Sequence, residues 1–256
     1  MRQAVSAAVT CALITATVAV VVSGCALLPE GEDPDKGTNG VGKLGAEQIG
    51  SKALAAAESA SSVRLSGSLV SGGKLFKLDL RLTDKGGTGE VSTKSGTFSV
   101  LRVGKALYLK ADDDFWLAKG SEGAEGAKEE PDRTDVEAAR KLDGMYVKVP
   151  ASDSSYKQLS GFTDRRVLLD GLLKLHGRVE AGERTEIDGV RTIGLVVDGG
   201  KGGGLAVSLE GRPYPLRVER AAGAGVIELG SWDEEFEVKA PRKEEVVDYG
   251  EQITED

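Results

Sequence analysis

The sequence predicts an α+β protein in which an antiparallel sheet of about eleven strands carries two substantial helices. Three observations lead there. In KLFKLDLRLTD, Phe76, Leu78, Leu80 and Leu82 alternate with Lys77, Asp79, Arg81 and Thr83, the period of a strand with one buried and one wet face. Such runs are joined by a few turn residues, too short for parallel crossovers. There is no alternating rhythm of strand and helix, which excludes a doubly wound sheet.

Taken in order, the chain opens with Met1-Arg2 and an apolar run from Ala4 to Val22, the build of a secretory signal peptide over residues 1–24. That run stops at Val22-Ser23-Gly24-Cys25. Small residues before a cysteine resemble the lipobox of bacterial lipoproteins, in which the cysteine is acylated; Val22 stands where leucine is usual. Cysteine counting agrees. The two are Cys11, inside the discarded run, and Cys25, so a mature exported chain holds one thiol and no internal disulfide. Acylation would cap it, and two or three acyl chains hold a protein on a membrane far better than one. Residues 25–42, with Gly31, Pro34, Gly37 and Gly40, then read as a flexible tether.

The folded body is expected over residues 43–241. Ile49, Ala53, Ala56, Ala57 and Ala60 fall on one side at helical spacing, which predicts a helix from Ala46 to Ala60. Strands follow at 63–70, 74–84, 89–93, 97–103 and 106–110, punctuated by Ser71-Gly72-Gly73, Asp84-Lys85-Gly86-Gly87, Ser95-Gly96 and Gly104-Lys105. Gly120 to Asp135 is acidic and Gly-rich, a surface loop leading into a short helix near 136–142. Another strand is expected at 145–149.

The segment TDRRVLLDGLLKLHG predicts a helix that Thr163 caps and Gly177 closes. Val167, Leu168, Leu169, Leu172, Leu173 and Leu175 spread over about 240° of its circumference, leaving a seam of Arg166, Asp170 and Lys174. A helix on a sheet needs an apolar arc of about 100°. The excess calls for a further cover. Gly171 within that arc implies either close backbone packing or vacant space. Strands resume at 178–186 and 190–197 around an Asp188-Gly189 hairpin, then at 205–209, 216–221, 226–232 and 235–239. The acidic tail, 242–256, is expected to fray.

Little here is equipped for catalysis. His176 is the only histidine and abuts a predicted helix end, so zinc sites and Ser-His-Asp or Cys-His arrangements cannot be assembled. Asp112, Asp113 and Asp114 are read as solvated loop carboxylates. Gly199 to Gly204, GGKGGG, lacks a phosphate loop's Gly-Lys-Ser/Thr ending and following helix, so it is a wide hairpin loop. No cofactor is expected. A net charge of -8 without a basic patch argues against a nucleic-acid partner.

Read together, the Cys25 border, SASSVRLSG, GKALYLK followed by FW, MYVKVP, TDRRVLLDGLLK, the hairpin around IDGVRT, RPYPLRVE and SWDEEFEVKAP resemble actinobacterial lipoproteins of the LppX and LprG type, related in fold to the LolA carriers. The likeness runs from Glu47 to Pro241, and the acidic loop has no counterpart. It implies a sheet curved into an incomplete barrel, helices on the concave side, and a hydrophobic cavity between them. It further implies a non-enzymatic protein, lipid-anchored to the outer side of the cytoplasmic membrane, that binds acylated lipid or glycolipid and exchanges it with a membrane transporter or acceptor lipoprotein. The cavity lining is expected from Phe76, Leu78, Leu80, Leu82, Phe98 and Val100 on the sheet and Leu168, Leu172 and Leu175 on the long helix. The alternative is a cargo-free structural or signalling lipoprotein that binds a protein partner.

Overall fold

The computed structural model describes residues 33–122 and 133–248. The signal run, Cys25, most of the acidic loop and the last eight residues lie outside them. The elements are α1 (Ala46–Ser59), β1 (Ser62–Ser71), β2 (Lys74–Thr83), β3 (Gly86–Thr93), β4 (Gly96–Val103), β5 (Ala106–Ala111), α2 (Asp113–Glu122), α3 (Arg133–Leu142) and β6 (Tyr146–Val149). Then come α4 (Ser154–Thr163), α5 (Arg165–Leu173), β7 (Val179–Ile187), β8 (Val190–Val197), β9 (Gly203–Ser208), β10 (Pro215–Arg220), β11 (Gly225–Gly230) and β12 (Val246–Val247).

Twelve strands form one curved, unclosed sheet in the order β12-β6-β5-β4-β3-β2-β1-β11-β10-β9-β8-β7. Two meanders run outward from the centre, where β1 pairs with β11, and every pairing is antiparallel except β12 with β6. The chain leaves one meander at β6 and resumes at β7, on the opposite edge. Between them α4 and α5 cross the concave face, α4 over β2, β3 and β4 and α5 over β10. The fold class expected from the sequence is the one observed.

Curvature has a local cause at the centre. Gly67 and Gly89 hold φ of 138° and 151°, and a Cβ there would fall 2.2 Å from the Val226 carbonyl oxygen and 2.1 Å from that of Asp79. Only glycine lets neighbouring strands approach and bend so tightly. On the other half of the sheet α1 packs against β7, β9 and β10, and presents Ile49, Ala53 and Ala57, all fully buried; small residues let the helix lie close on the core.

Several expectations need correction. The segment 235–239 alternates like a strand but forms none; both sides of β11, the strand that it follows, are already occupied by β1 and β10. The twelfth strand is instead Val246–Val247, outside the expected body. The long helix is capped one residue later than expected: Thr163 ends α4, and Asp164 caps α5 by accepting a hydrogen bond from the Val167 N–H at 3.1 Å. Its other end falls at Leu173, because Gly177 is placed against the Asp198 carboxylate in the loop that enters β7. Two helices, α2 and α4, stand where none was expected, and Asp112 caps α2 by accepting from the Phe115 N–H at 2.8 Å.

The seam on α5 does pair its charges, Asp170 with Lys174 at 2.7 Å. Gly171 has open space where its Cβ would be, and its carbonyl accepts a hydrogen bond from Arg220 at 2.9 Å. Gly199 to Gly204 connects β8 to β9, as a hairpin loop should. The described part of the expected tether is docked rather than loose: Asp35 is buried against Arg184, 2.7 Å away, and Asn39 donates to the Ser208 carbonyl at 3.0 Å. The compact unit containing the sheet accordingly begins at Asp35.

Candidate functional site

Two cavities open at the end of the sheet where the β1–β2 and β3–β4 hairpins turn, against α2, α4 and α5. The larger has a volume of about 860 Å³, within the ~300–1,000 Å³ usual for ligand sites. The smaller, about 470 Å³, lies between the β1–β2 hairpin and the junction of α4 and α5. Phe76 and Phe162 border both, with ring centroids 5.5 Å apart.

Each wall follows from local sequence. Phe76 and Phe98 are the first inward-facing residues of β2 and β4, so they stand at the strand ends rather than under α1. Ala111 ends β5, and α2 starts two residues later, which swings Phe115 and Trp116 over the opening. Phe98 meets Phe115 at 5.2 Å, and Phe115 meets Trp116 edge-on at 5.4 Å. Leu109 on β5, Val149 on β6 and Leu159 on α4 complete the apolar walls. Four of the chain's five phenylalanines therefore gather at one site, a concentration that the low aromatic content conceals.

The rim is polar. Lys74, Lys94, Lys148 and Asp153 border the larger cavity, and the Lys148 amine is paired with Asp248 beside β12. No His or Cys lies among the described lining residues, and the described residues hold no group of three or more His, Cys, Asp or Glu suited to a metal ion. Hydrocarbon walls under a charged mouth suit a guest with an apolar body and a polar end, because burial of the body drives binding at about 25 cal/mol per Å².

The expected lining divides accordingly. Phe76 and Phe98 border the larger cavity and Leu168 joins Phe76 on the smaller. Leu78, Leu80, Leu82, Val100 and Leu172 are buried in the closed core, outside the lining of both cavities. Leu175 is half-buried near Gly50 of α1. Val167 faces solvent, 60% exposed, so the apolar arc of α5 is narrower than its sequence implies. Phe115, Trp116, Leu109, Leu159 and Phe162 escaped the sequence reading. The FW pair next to Asp112-Asp113-Asp114 was the signal: two adjacent large aromatics in an aromatic-poor chain.

Comparison with solved structures bears on this arrangement. LprF from Mycobacterium bovis superposes with a TM-score of 0.51 at 16% identity, over 77% of this chain and 96% of that one. The chain has the fold of LprF. At that identity the likeness is one of architecture. The Mycobacterium tuberculosis lipoprotein LppX is matched at a TM-score of 0.41 and 15% identity, over 75% of this chain and 96% of that one. No protein-family model and no curated protein matches the sequence. Among the described residues no helix is long and apolar enough to cross a membrane.

Proposed function

We propose that the chain is an envelope lipoprotein, anchored through acyl groups on Cys25, that carries an acylated lipid or glycolipid in the cavity between its sheet and α2 and α4. The observation behind this reading is the larger cavity itself, roofed by Phe115, Trp116 and Phe162 and floored by Phe76, Phe98 and Leu109. A cleft of about 860 Å³ lined by aromatic rings has the size and walls of a ligand site, which supports this reading. Affinity comes from acyl-chain burial, so selectivity for the head group is loose. The fold shared with LprF and the small-residue border before Cys25 support the same reading. Delivery and removal of the lipid then fall to a membrane transporter or an acceptor lipoprotein.

Two substitutions test it as a pair. Leu159→Trp places an indole in the larger cavity and is expected to weaken binding of a fluorescent diacyl lipid by tenfold or more. Leu172→Trp overpacks the closed core, at a cost of about 1–3 kcal/mol in stability, and leaves lipid affinity unchanged. Equal lipid binding by wild type and Leu159→Trp would refute the cavity as the carrier site.

A further inference from the structure

Val70 and Leu75 are large apolar side chains that the fold leaves exposed, at 43% and 52%. They are direct cross-strand partners at the end of the β1–β2 hairpin. The turn between them is Ser71-Gly72-Gly73-Lys74, in which both glycines hold positive φ, 56° and 75°. Such a turn continues the twist of its strands, so the tip is short and fixed in direction. It borders both cavities: Ser71, Gly72 and Lys74 the smaller one, and Gly73, Lys74 and Leu75 the larger. Nothing in strand pairing requires leucine and valine there, since polar residues pair as well on an exposed face.

Charge along the hairpin itself is one-sided. No carboxylate occurs between Glu58 and Asp79, in a chain with 41 acidic residues, whereas Arg64, Lys74 and Lys77 fall inside that interval. Lys94, on the neighbouring β3–β4 turn, adds a further amine to the rim of the larger cavity. Among the described residues no ion pair holds Lys74, Lys77 or Lys94. Asp112, Asp113 and Asp114 bound the patch on the β5 side, and Asp153 lies beyond β6, so the contact surface is the β1–β2 tip and not α2.

We infer that this tip docks on an anionic bilayer surface, with Val70 and Leu75 entering the acyl boundary and Lys74, Lys77 and Lys94 facing lipid head groups. An apolar edge flanked by lysines is the arrangement that interfacial binding uses, and an anionic leaflet attracts each lysine near it. A net charge of -8 turns the rest of the molecule away from the same surface. A protein partner fits less well: a stable interface buries about 1,200–2,000 Å² in total, and two side chains on a glycine turn supply a small part of that. Docking would bring both cavity mouths to the lipid from which a guest is taken. This adds a place of contact to the carrier reading and is measured without any cargo.

The test uses the full chain with Cys11→Ser and Cys25→Ser, reconstituted in vesicles, and an environment-sensitive fluorophore on Ser71→Cys. A second sample carries it on Lys105→Cys, in the β4–β5 turn at the opposite end of the sheet. The label at 71 is expected to shift to the blue and be quenched by bilayer-borne doxyl lipid in phosphatidylglycerol-containing vesicles. The label at 105 stays open to aqueous iodide. Adding Val70→Ser with Leu75→Ser, or Lys74→Glu with Lys94→Glu, should remove most of the shift, and it should persist with Leu159→Trp, which separates docking from lipid uptake. Equal iodide access at 71 and 105 overturns the inference. So does an identical shift in neutral phosphatidylcholine vesicles, and so does one that scales with protein density, which would mark contact between copies.

Discussion

Arg165 shows what a single residue contributes to placing α5. It is a charged side chain only 2% exposed, at the start of α5. Its guanidinium donates to the Ala57 carbonyl at 3.0 Å and the Glu58 carbonyl at 3.4 Å, and pairs with Asp84 on the β2–β3 turn. One fork thus satisfies carbonyls at the end of α1, complements that helix's dipole and fixes where α5 begins. Because Asp84 is half-exposed it can be resolvated, so the cost of Arg165→Ala is set by the abandoned carbonyls and the void, about 2–3 kcal/mol. Arg165→Lys should rescue little, since an ammonium cannot span the same acceptors. Urea unfolding midpoints measure both. Gly89→Ala belongs to the same scale: with backbone only 2.1 Å from its Cβ, it is expected to destabilise by more than about 2 kcal/mol.

Residue-scale electrostatics also set the acid limit. Hydrogen bonds from Arg64 hold the Asp79 carboxyl below the usual range, and Arg191 does the same for Glu210. Asp233 is lowered first by the Tyr214 hydroxyl and next by the Ser61 N–H. Groups whose pKa is depressed in the fold contribute fully above their unfolded values, near 4, and lose that contribution as pH falls through the lower folded values. The melting temperature should therefore be flat down to about pH 5 and fall below about pH 4. Arg64→Gln should flatten the acid limb, and a melting series from pH 2.5 to 7 would show an unchanged slope if these pairs do not matter.

Among the elements, the strands were legible and the helices only in part. Period-two runs such as Phe76 to Leu82 announce themselves because one face of an antiparallel sheet must be apolar and the other wet. The Asp188-Gly189 hairpin was equally plain, as its positive φ values require those residues. The helix from Thr163 to Gly177 was misread at both ends for a reason that lies in tertiary structure. Arg102 donates to the Thr163 carbonyl at 2.7 Å and its hydroxyl at 3.1 Å, tying the α4–α5 junction to β4, and no local pattern reveals such a partner. The cavity lining was legible only at Phe76, Phe98 and Leu168, for a related reason. Alternation tells which residues face inward, but not which of them lie beneath a helix. Leu80 and Leu82 lie in the closed core while Phe76, on the same face, borders both cavities. The paired Leu159→Trp and Leu172→Trp substitutions address that distinction directly.

At the scale of the molecule, one acidic chain combines a curved sheet, a helical cover that leaves the β1–β2 tip exposed, and an aromatic-lined space at that end. The chain enters the sheet at the other end, where Asp35 and Asn39 dock beside β7 and the β9–β10 turn. The β1–β2 tip and the docked segment at Asp35 and Asn39 are thus separated by the length of the strands. The central claim is that the larger cavity holds the hydrocarbon of a lipid. The most direct measurement is the lipid-to-protein ratio in organic extracts of the full chain isolated from membranes, read by mass spectrometry beside the Leu159→Trp variant. The account predicts close to one acylated lipid per wild-type chain and a marked depletion in the variant; equal traces of bulk membrane lipid in both would contradict it.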